Sequence, residues 1–265
     1  MLVDLHNHTS DSHDGFTTHA ELLNSCLVRG IDAIAVTEHD AFCQIDADLF
    51  KKNGVELIFG REFTANTGAH IIGLFISDSM PKSDSRHDIV RHIKSQNGIV
   101  IMPHPWKPGS GYLSIYDKDD LINEFDFIEL VNGGWRAVKY GGEIIKIAQE
   151  YNLKMIASSD SHRGCQVGLC ATKVTNVHKF HVGSAQHHLF TSRQDDLELL
   201  VDSQGFVRKG RRNRWFQITS IYQLLLPLVP KNIRRLVKKT QYSFSNDSQS
   251  ANPCYKVFKI GVDLW

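Results

Sequence analysis

The feature that most constrains this chain is a recurring order in which a short apolar segment ends in side chains that can bind a metal. Six such segments are followed by histidines or carboxylates, and these polar residues are Asp4, His6, His8, Glu38, His39, Asp40, Glu62, His104, Glu129, Asp160 and His162. The carboxyl ends of parallel strands lie on one face of an α/β fold, so residues far apart in sequence meet there. The sequence therefore predicts one polar site on that face.

Alternating strand and helix patterns predict the sheet that would carry this site. Strands are predicted for residues 2–6, 31–36, 55–59, 71–76, 99–102, 127–131 and 153–157. Thr18 and Glu21 form a capping box that predicts a helix ending before Gly30, and further helices are predicted for residues 88–96 and 138–151. Such alternation is typical of a largely parallel sheet, either open or closed into a barrel.

Length and composition favour one main domain in a reducing compartment. The chain has 265 residues, of which 42% are hydrophobic, which is enough for one large core. Its five cysteines form no CxxC pair and are odd in number, which argues against a disulfide framework and against a zinc ribbon. The chain does not start with a basic segment and an apolar run, and the longest apolar stretch, residues 224–229, is too short to span a bilayer. We therefore expect a cytoplasmic protein.

Charge is distributed unevenly along the chain. Residues 205–265 contain 12 Lys and Arg but 2 Asp and Glu, whereas residues 1–204 contain 18 and 27. This contrast divides the chain into a predicted barrel domain, residues 1–204, and a basic C-terminal extension, residues 205–265. In the extension, basic residues flank the apolar segment 221–229. The pattern predicts either packing on the barrel or contact with nucleic acid or an anionic membrane surface.

His6 and His8 give the strongest local signal for a metal site. Residues two apart in a strand point to the same side, so both imidazoles can bind one ion. Imidazole and carboxylate ligands suit Zn, Mn or Fe, and the candidates exceed the four ligands that one zinc accepts, which indicates more than one metal. A single histidine at a strand end is more often a hydrogen-bonded structural residue, so the prediction depends on the recurrence. The histidines expected outside the site are His19, His87, His92, His178, His181, His187 and His188.

Five separated motifs carry most of these residues. They are Asp4-Leu5-His6-Asn7-His8-Thr9 with Ser12-His13-Asp14-Gly15, Thr37-Glu38-His39-Asp40, Glu62 with His70, Met102-Pro103-His104-Pro105, and Ser159-Asp160-Ser161-His162 followed by Gly168. In content and order they resemble the motifs of the polymerase and histidinol phosphatase (PHP) superfamily, over about residues 1–175. The resemblance implies a distorted (β/α)7 barrel, a trinuclear metal centre at the carboxyl ends of the strands, and hydrolysis of phosphate esters.

Carried over by position, the resemblance also implies a ligand set for each of the three ions. The sets are His6, His8, Glu62 and Asp160; Glu62, His70 and His104; and Asp14, His39 and His162. Glu62 would bridge the first two ions, and His13 is the alternative to Asp14. Glu38 departs from the family pattern, in which many members carry Asp, and Glu129 is expected to support a ligand. Catalytic roles are predicted for Glu62, Asp160 and His162.

The function that follows is hydrolysis of a phosphomonoester or a phosphodiester by metal-activated water. Arg61, Arg163 and Lys107 are candidate phosphate contacts, and Trp106 beside Lys107 could stack on a base, which favours a nucleotide or nucleic-acid end over other phosphorylated small molecules. Two alternatives remain open from the sequence. A metal-dependent amidohydrolase shares the barrel and the two-histidine start, and a non-enzymatic binding module could use the metals for stability alone.

Overall fold

The computed structural model describes residues 1–116, 118–134 and 140–202, together with the backbone of residues 255–258. Short 3-10 helices cover Asp120–Glu124, Gly164–Gln166 and Gln194–Asp196. The strands are β1 (Leu2–Asp4), β2 (Ala33–Val36), β3 (Glu56–Thr64), β4 (His70–Leu74), β5 (Ile99–Met102), β6 (Phe127–Asn132), β7 (Lys154–Ser158), β8 (Cys170–Val174), β9 (Leu197–Asp202) and β10 (Tyr255–Phe258). The α-helices are α1 (His19–Arg29), α2 (Ala47–Lys52), α3 (Arg86–Ser95), α4 (Tyr112–Ile115), α5 (Gly141–Glu150) and α6 (Ala185–Thr191).

These strands form one sheet in the order β10-β9-β8-β1-β2-β3-β4-β5-β6-β7. Strands β1, β2 and β3 run parallel to one another, and so do β5, β6 and β7. Strand β4 is antiparallel to both neighbours, and β8 is antiparallel to β1. The sheet curls into a nearly closed barrel within a mixed α/β fold, which confirms the predicted distorted α/β barrel. The described strands are not, however, a regular sevenfold repeat of parallel units.

The antiparallel strand β4 follows from the length of the connection before it. Strand β3 continues to Thr64, five residues beyond the predicted strand, and only residues 65–69 separate it from β4. A parallel crossover needs a dozen or more residues, so this short loop permits only a hairpin. The hairpin turns the start of β4 toward the edge where the parallel strands end.

Local signals in the sequence fix the helices. Thr18 caps α1 in a reciprocal capping box with Glu21, and Gly30 ends the helix with a φ of 66°, as predicted. Ser85 caps α3 three residues before the predicted start. Helix α5 begins at Gly141, and the first residues of its predicted range lie outside the described residues.

The core lies in layers because buried strands present alternate residues to opposite faces. In β5, Ile99 and Ile101 belong to a cluster that collects residues from β1 to β9 and therefore fills the barrel interior. Val100 and Met102 face outward and pack in a second cluster with residues of α3 and α5. Both faces of this strand are buried, as is usual where helices cover a parallel sheet.

Strand β7 has a regular ladder with β6 alone among the described strands, and side-chain contacts close the barrel on its other side. The Thr172 hydroxyl in β8 accepts from the Ala157 N–H and donates to the Ala157 carbonyl, both at 2.9 Å. Nearer the strand ends, Asn7 and Ser161 form an isolated parallel bridge between the segments after β1 and β7. The barrel therefore has a seam with β7 on one side and the paired strands β1 and β8 on the other.

Within the C-terminal extension, the structure describes only strand β10. The backbone of Tyr255–Phe258 pairs antiparallel with β9 at the edge of the sheet. The basic residues and the apolar segment 221–229 lie outside the described residues. The predicted domain division and the predicted binding of nucleic acid or membranes thus stay predictions. Within the described part of the chain, every helix is too short or too polar to cross a membrane.

We expect Thr172→Val to destabilise the protein by ~1–3 kcal/mol, because it keeps the side-chain shape but leaves the N–H and carbonyl of Ala157 buried without a partner. Thr172→Ser retains the hydroxyl and is the matched control. Urea unfolding of the metal-loaded proteins measures the difference. A valine variant as stable as the wild type would show that the hydroxyl does not close the seam.

Candidate metal centre

Nine side chains predicted as metal ligands meet at the edge of the barrel where the parallel strands end. They form four overlapping groups whose donor atoms lie within 4.8 Å of one another: His6, His8 and Glu62; His6, His104 and Asp160; His39, Glu62 and His70; and His8, Asp14, His39 and His162. Most of them follow parallel strands, as the sequence suggested. His70 joins them because it is the first residue of the antiparallel strand β4, which starts at that edge.

The deepest donors lie around the Nε2 atoms of His6 and His8. Nε2 of His6 lies 3.2 Å from Nε2 of His8 and 3.1 Å from Oε2 of Glu62, and Oδ1 of Asp160 lies 3.4 and 3.5 Å from the same two nitrogens. Nε2 of His8 is 3.2 Å from Oε2 of Glu62. Ligands at the usual zinc distances form a tetrahedron with edges of about 3.3 Å. The donors of His6, His8 and Glu62 match one face of such a tetrahedron, and Oδ1 of Asp160 lies beside the same two histidines.

The hydrogen bond of His6 with Glu129 also favours a bound cation. Nδ1 of His6 lies 2.9 Å from a carboxylate oxygen of Glu129, which can only accept, so Nδ1 carries the proton. Nε2 of the neutral ring then presents a lone pair to the lone pairs of Glu62 and Asp160. One proton can satisfy a single pair of these atoms, whereas a cation can be shared by three or more of them. The donor set therefore fits a resident metal ion.

The two carboxylate oxygens of Glu62 face different groups of donors. Oε2 faces His6 and His8, whereas Oε1 lies 2.7 Å from Nδ1 of His70 and 3.0 Å from Nε2 of His104. Glu62 is fully buried, and burial would raise its pKa, but the surrounding histidines hold the pKa well below the ordinary value. The carboxylate is thus charged at neutral pH and has the geometry of a bridge between two ions.

The third group lies nearer the solvent. Oδ2 of Asp14 is 3.0 Å from Nε2 of His162 and 3.5 Å from Nε2 of His39. His13 is exposed with its ring 5.3 Å from that of His39, and among the described residues Asp14, rather than His13, joins a donor group. Burial opposes ionisation of Asp14, but its hydrogen bonds with His162 and His39 keep its pKa low. The geometry favours Asp14 as the donor from this loop.

Two buried carboxylates hold the donors in place from behind. Glu129 contacts Nδ1 of His6 and accepts from the backbone N–H of His104 at 2.8 Å, so it fixes two ligand segments at once. Asp4 accepts from the N–H groups of Ser159 and Gly168, and burial raises its pKa to about 6. Metal-binding histidines usually need such partners to fix ring orientation.

Sequence reasoning pointed to the carboxylates that support the donors but missed the backbone conformation of two of the donor residues. Glu38 joins no donor group in the described residues, and instead accepts from the N–H and hydroxyl of Thr9. His104 and Asp160 have positive φ values of 29° and 46°, a left-handed region that favours glycine. The strand-end pattern pointed to Glu38 and Glu129, but no sequence signal marks a left-handed non-glycine residue.

The structure separates the three predicted phosphate contacts. It does not bring Arg61 to the donors, because alternation along β3 points it away from Glu62 and its guanidinium donates to Asp78 and to the carbonyl of Ala41. Arg163 follows His162, and its guanidinium carbon lies 5.1 Å from the centroid of the Phe16 ring. Lys107 is half-buried, and its charge helps to lower the pKa values of His104 and Asp160, so it lies within electrostatic range of the site.

Comparison with known proteins adds an independent line of observation. A family model described as PHP-associated matches residues 142–180. An uncharacterized protein of Methanocaldococcus jannaschii is 34% identical over 150 residues, which cover 46% of this chain and 87% of that protein. A 5'-3' exoribonuclease of Haemophilus influenzae is 37% identical over 103 residues, which cover 37% of each.

The fold is also found among solved structures. The chain resembles a two-domain protein from Bacteroides vulgatus that contains a predicted PHP-like metal-dependent phosphoesterase, with a TM-score of 0.57 and 24% sequence identity. That match covers 75% of this chain and 64% of the Bacteroides protein. At this identity the likeness concerns the fold alone.

We expect metal analysis of the reconstituted protein to find more than one transition-metal equivalent per chain. Asp14→Asn should lose part of the metal, because it alters only the outer donor group. Glu62→Gln should lose more, because both of its oxygens face donors. His87→Gln, at an exposed helix position, is the control and should bind as the wild type does. Binding of a single equivalent by the wild type would contradict the multinuclear arrangement.

Proposed function

We propose that the chain is a member of the PHP superfamily and that it hydrolyses phosphate esters with divalent cations held at the carboxyl ends of its barrel strands. The observation that carries the proposal is the cluster of buried donor atoms in which the Nε2 atoms of His6 and His8 lie 3.1–3.5 Å from each other and from carboxylate oxygens of Glu62 and Asp160. A buried arrangement of this kind is costly without a cation.

We assign three ions to the site, with Zn, Mn or Fe as the metals that suit its nitrogen and oxygen donors. The proposed ligands are His6, His8 and Asp160 for the first, His70 and His104 for the second, and Asp14, His39 and His162 for the third, with Glu62 shared by the first two. When bound, such ions lower the pKa of water toward neutrality and neutralise phosphoryl oxygens as charge builds.

The exposure of the ligands gives the direction from which a substrate would approach. The side chains of His6 and His8 are 0% exposed, whereas those of His162 and Asp14 are 27% and 28% exposed. A phosphate group therefore reaches the outer ligands first, with the inner ones beneath it. His162, whose ring contacts both Asp14 and the main-chain oxygen of Asp160, is the predicted catalytic residue nearest to solvent.

We further propose that the ester belongs to a nucleotide or to the end of a nucleic acid. Trp106 stacks on Tyr140 with ring centroids 5.5 Å apart, and its buried indole N–H finds no acceptor among the described residues. This pair with the adjacent Lys107 offers an aromatic surface and a positive charge, the two elements that bind single-stranded ends. The similarity to a 5'-3' exoribonuclease supports the same substrate class.

The test is a hydrolysis screen of protein reconstituted with Mn or Zn, with chelator-treated protein as the reference. The substrates are an aryl phosphomonoester, a bis-aryl phosphodiester, nucleotides, histidinol phosphate, short oligoribonucleotides and an aryl amide. Faster cleavage of oligonucleotides than of the other esters supports the proposed substrate class. Cleavage of the amide alone would identify an amidohydrolase, and no cleavage with any metal would favour a binding module.

We expect His6→Ala and Asp160→Ala each to lower hydrolysis at least ~10³-fold while the protein stays folded. Each removes a ligand from the deepest donor group without emptying an apolar core. The readouts are the hydrolysis rate at low free metal and the circular dichroism spectrum. Turnover close to the wild-type rate in either variant would contradict the site.

Lys107→Ala should raise KM about tenfold with a small change in kcat, because Lys107 would contact a substrate phosphate and so contribute to binding. A charge-assisted hydrogen bond of this kind contributes roughly 1–2 kcal/mol. Lys82→Ala, at an exposed position, removes the same charge and should leave both constants unchanged. Equal effects of the two variants on KM would show that Lys107 acts through its charge alone and does not contact the phosphate.

A further inference from the structure

A second group of metal-binding side chains lies outside the nine ligands described above. Asp11 lies in the loop after β1, His19 is the first residue of α1, and Cys43 lies between β2 and α2. Their donor atoms all lie within 4.8 Å of one another. No short sequence motif connects the three residues, and the fold alone brings them together.

We propose that Asp11, His19 and Cys43 form an accessory binding site for one zinc ion, with the fourth position open to water. A thiolate, an imidazole and a carboxylate together are a ligand set that zinc accepts readily. The site takes a free divalent cation as its ligand, independently of any phosphate ester.

The distances between the three donors match a tetrahedral zinc site. Nε2 of His19 lies 3.2 Å from Oδ2 of Asp11, and Sγ of Cys43 lies 3.3 Å from the same oxygen and 3.8 Å from Nε2 of His19. With ordinary zinc–ligand lengths, the tetrahedral edges are about 3.4 Å for nitrogen to oxygen and about 3.6 Å for the edges that involve sulfur. The observed separations lie within about 0.3 Å of these values.

Hydrogen bonding alone accounts poorly for the same geometry. Oδ2 of Asp11 already accepts from the backbone N–H of Gln44 at 3.0 Å, and both the Cys43 thiol and the His19 ring face this single oxygen. A carboxylate oxygen has two lone pairs, so three donors exceed its capacity. A bound ion resolves the excess: one lone pair of Oδ2 binds zinc, the other keeps the Gln44 N–H, and the His19 lone pair binds zinc directly.

Burial sets which side of the ion stays accessible. Cys43 is 2% exposed, whereas the side chains of His19 and Asp11 are 31% and 29% exposed. The ion therefore enters from the solvent side, and water occupies the position that no protein donor fills. Binding releases the Cys43 proton to solvent, because a coordinated thiol is deprotonated.

The accessory ion would fix the loop that carries Asp14. Asp11 and Asp14 lie in the same loop, and zinc would tie this loop to α1 through His19 and to the β2–α2 connection through Cys43. Thr9 adds a second connection, because its hydroxyl donates to Glu38, accepts from the Asp11 N–H and lies 3.7 Å from Sγ of Cys43. The ion would thus hold the outer donor group in place without touching substrate.

Cobalt provides a readout specific to this site, because thiolate ligation gives Co²⁺ an intense near-ultraviolet charge-transfer absorption. The central ligands are histidines and carboxylates, so they cannot produce this band. We expect full-length metal-free protein titrated with Co²⁺ to develop the band, with a final intensity that corresponds to one thiolate-bound ion per chain. Cys43→Ser should abolish it, and Cys165→Ser, which removes a thiol outside the site, should retain it.

Zinc content and a second variant complete the test. Cys43→Ser should bind one zinc equivalent fewer than the wild type, and His19→Ala, which changes a partly exposed residue, should weaken the cobalt titration at least tenfold. If Cys43→Ser fails to fold by circular dichroism, His19→Ala decides the outcome. The proposal is overturned if fully loaded wild-type protein shows no charge-transfer band, if the band persists in Cys43→Ser, or if His19→Ala titrates as the wild type does.

Discussion

Mutual repulsion among buried acceptor atoms is the constraint on which the rest of this structure depends. The Nε2 atoms of His6 and His8 lie 3.1–3.5 Å from each other and from carboxylate oxygens of Glu62 and Asp160. Hydrogen bonds between neutral groups cannot satisfy so many buried acceptors, so positive charge must lie among them. In the absence of metal that charge is a proton: burial would lower the pKa of His6, but Asp160, Glu62 and Glu129 raise it well above its ordinary value.

The barrel brings these donor residues, which are distant in sequence, to one edge of the sheet. Parallel strands supply most of the ligands, and the antiparallel strand β4 supplies His70 from its start rather than its end. Glu129 then joins two ligand segments through His6 and the His104 backbone. The asymmetry of the barrel therefore positions His70 among the other donors, since a uniformly parallel sheet would place the start of β4 at the opposite edge.

Much of this arrangement could be predicted from the sequence. The strands β1 to β7 each carry an apolar segment with a clear boundary, and the capping box of Thr18 and Glu21 fixes α1. The predicted ligands converge because strand-end residues in an α/β fold share one face. The strands β8 and β9 and the helix α6 were missed, because they lie around a polar, histidine-rich segment and gain stability from tertiary packing.

Other features depend on contacts that a sequence does not display. Arg61 was predicted as a phosphate contact from its place beside Glu62, yet neighbours in a strand face opposite sides, and its guanidinium binds Asp78. His19 was expected outside the central site, and it lies there, but its contacts with Asp11 and Cys43 were not predicted. Both outcomes depend on which loop folds over a residue, and loop positions follow from the whole fold rather than from local pattern.

The seam gives the central ions a mechanical role. Ligands after β1 and ligands after β7 come from opposite sides of the line where the barrel lacks a regular ladder and depends on Thr172 and the Asn7–Ser161 bridge. An ion bound by both sets acts as a reversible cross-link between the ends of the barrel, comparable in placement to a disulfide that closes a long loop. Metal starvation would then weaken the enclosure as well as the chemistry, and a chain that opens along its seam is exposed to proteases. Metal supply in the cell would set how much of the protein persists, in addition to how fast it works.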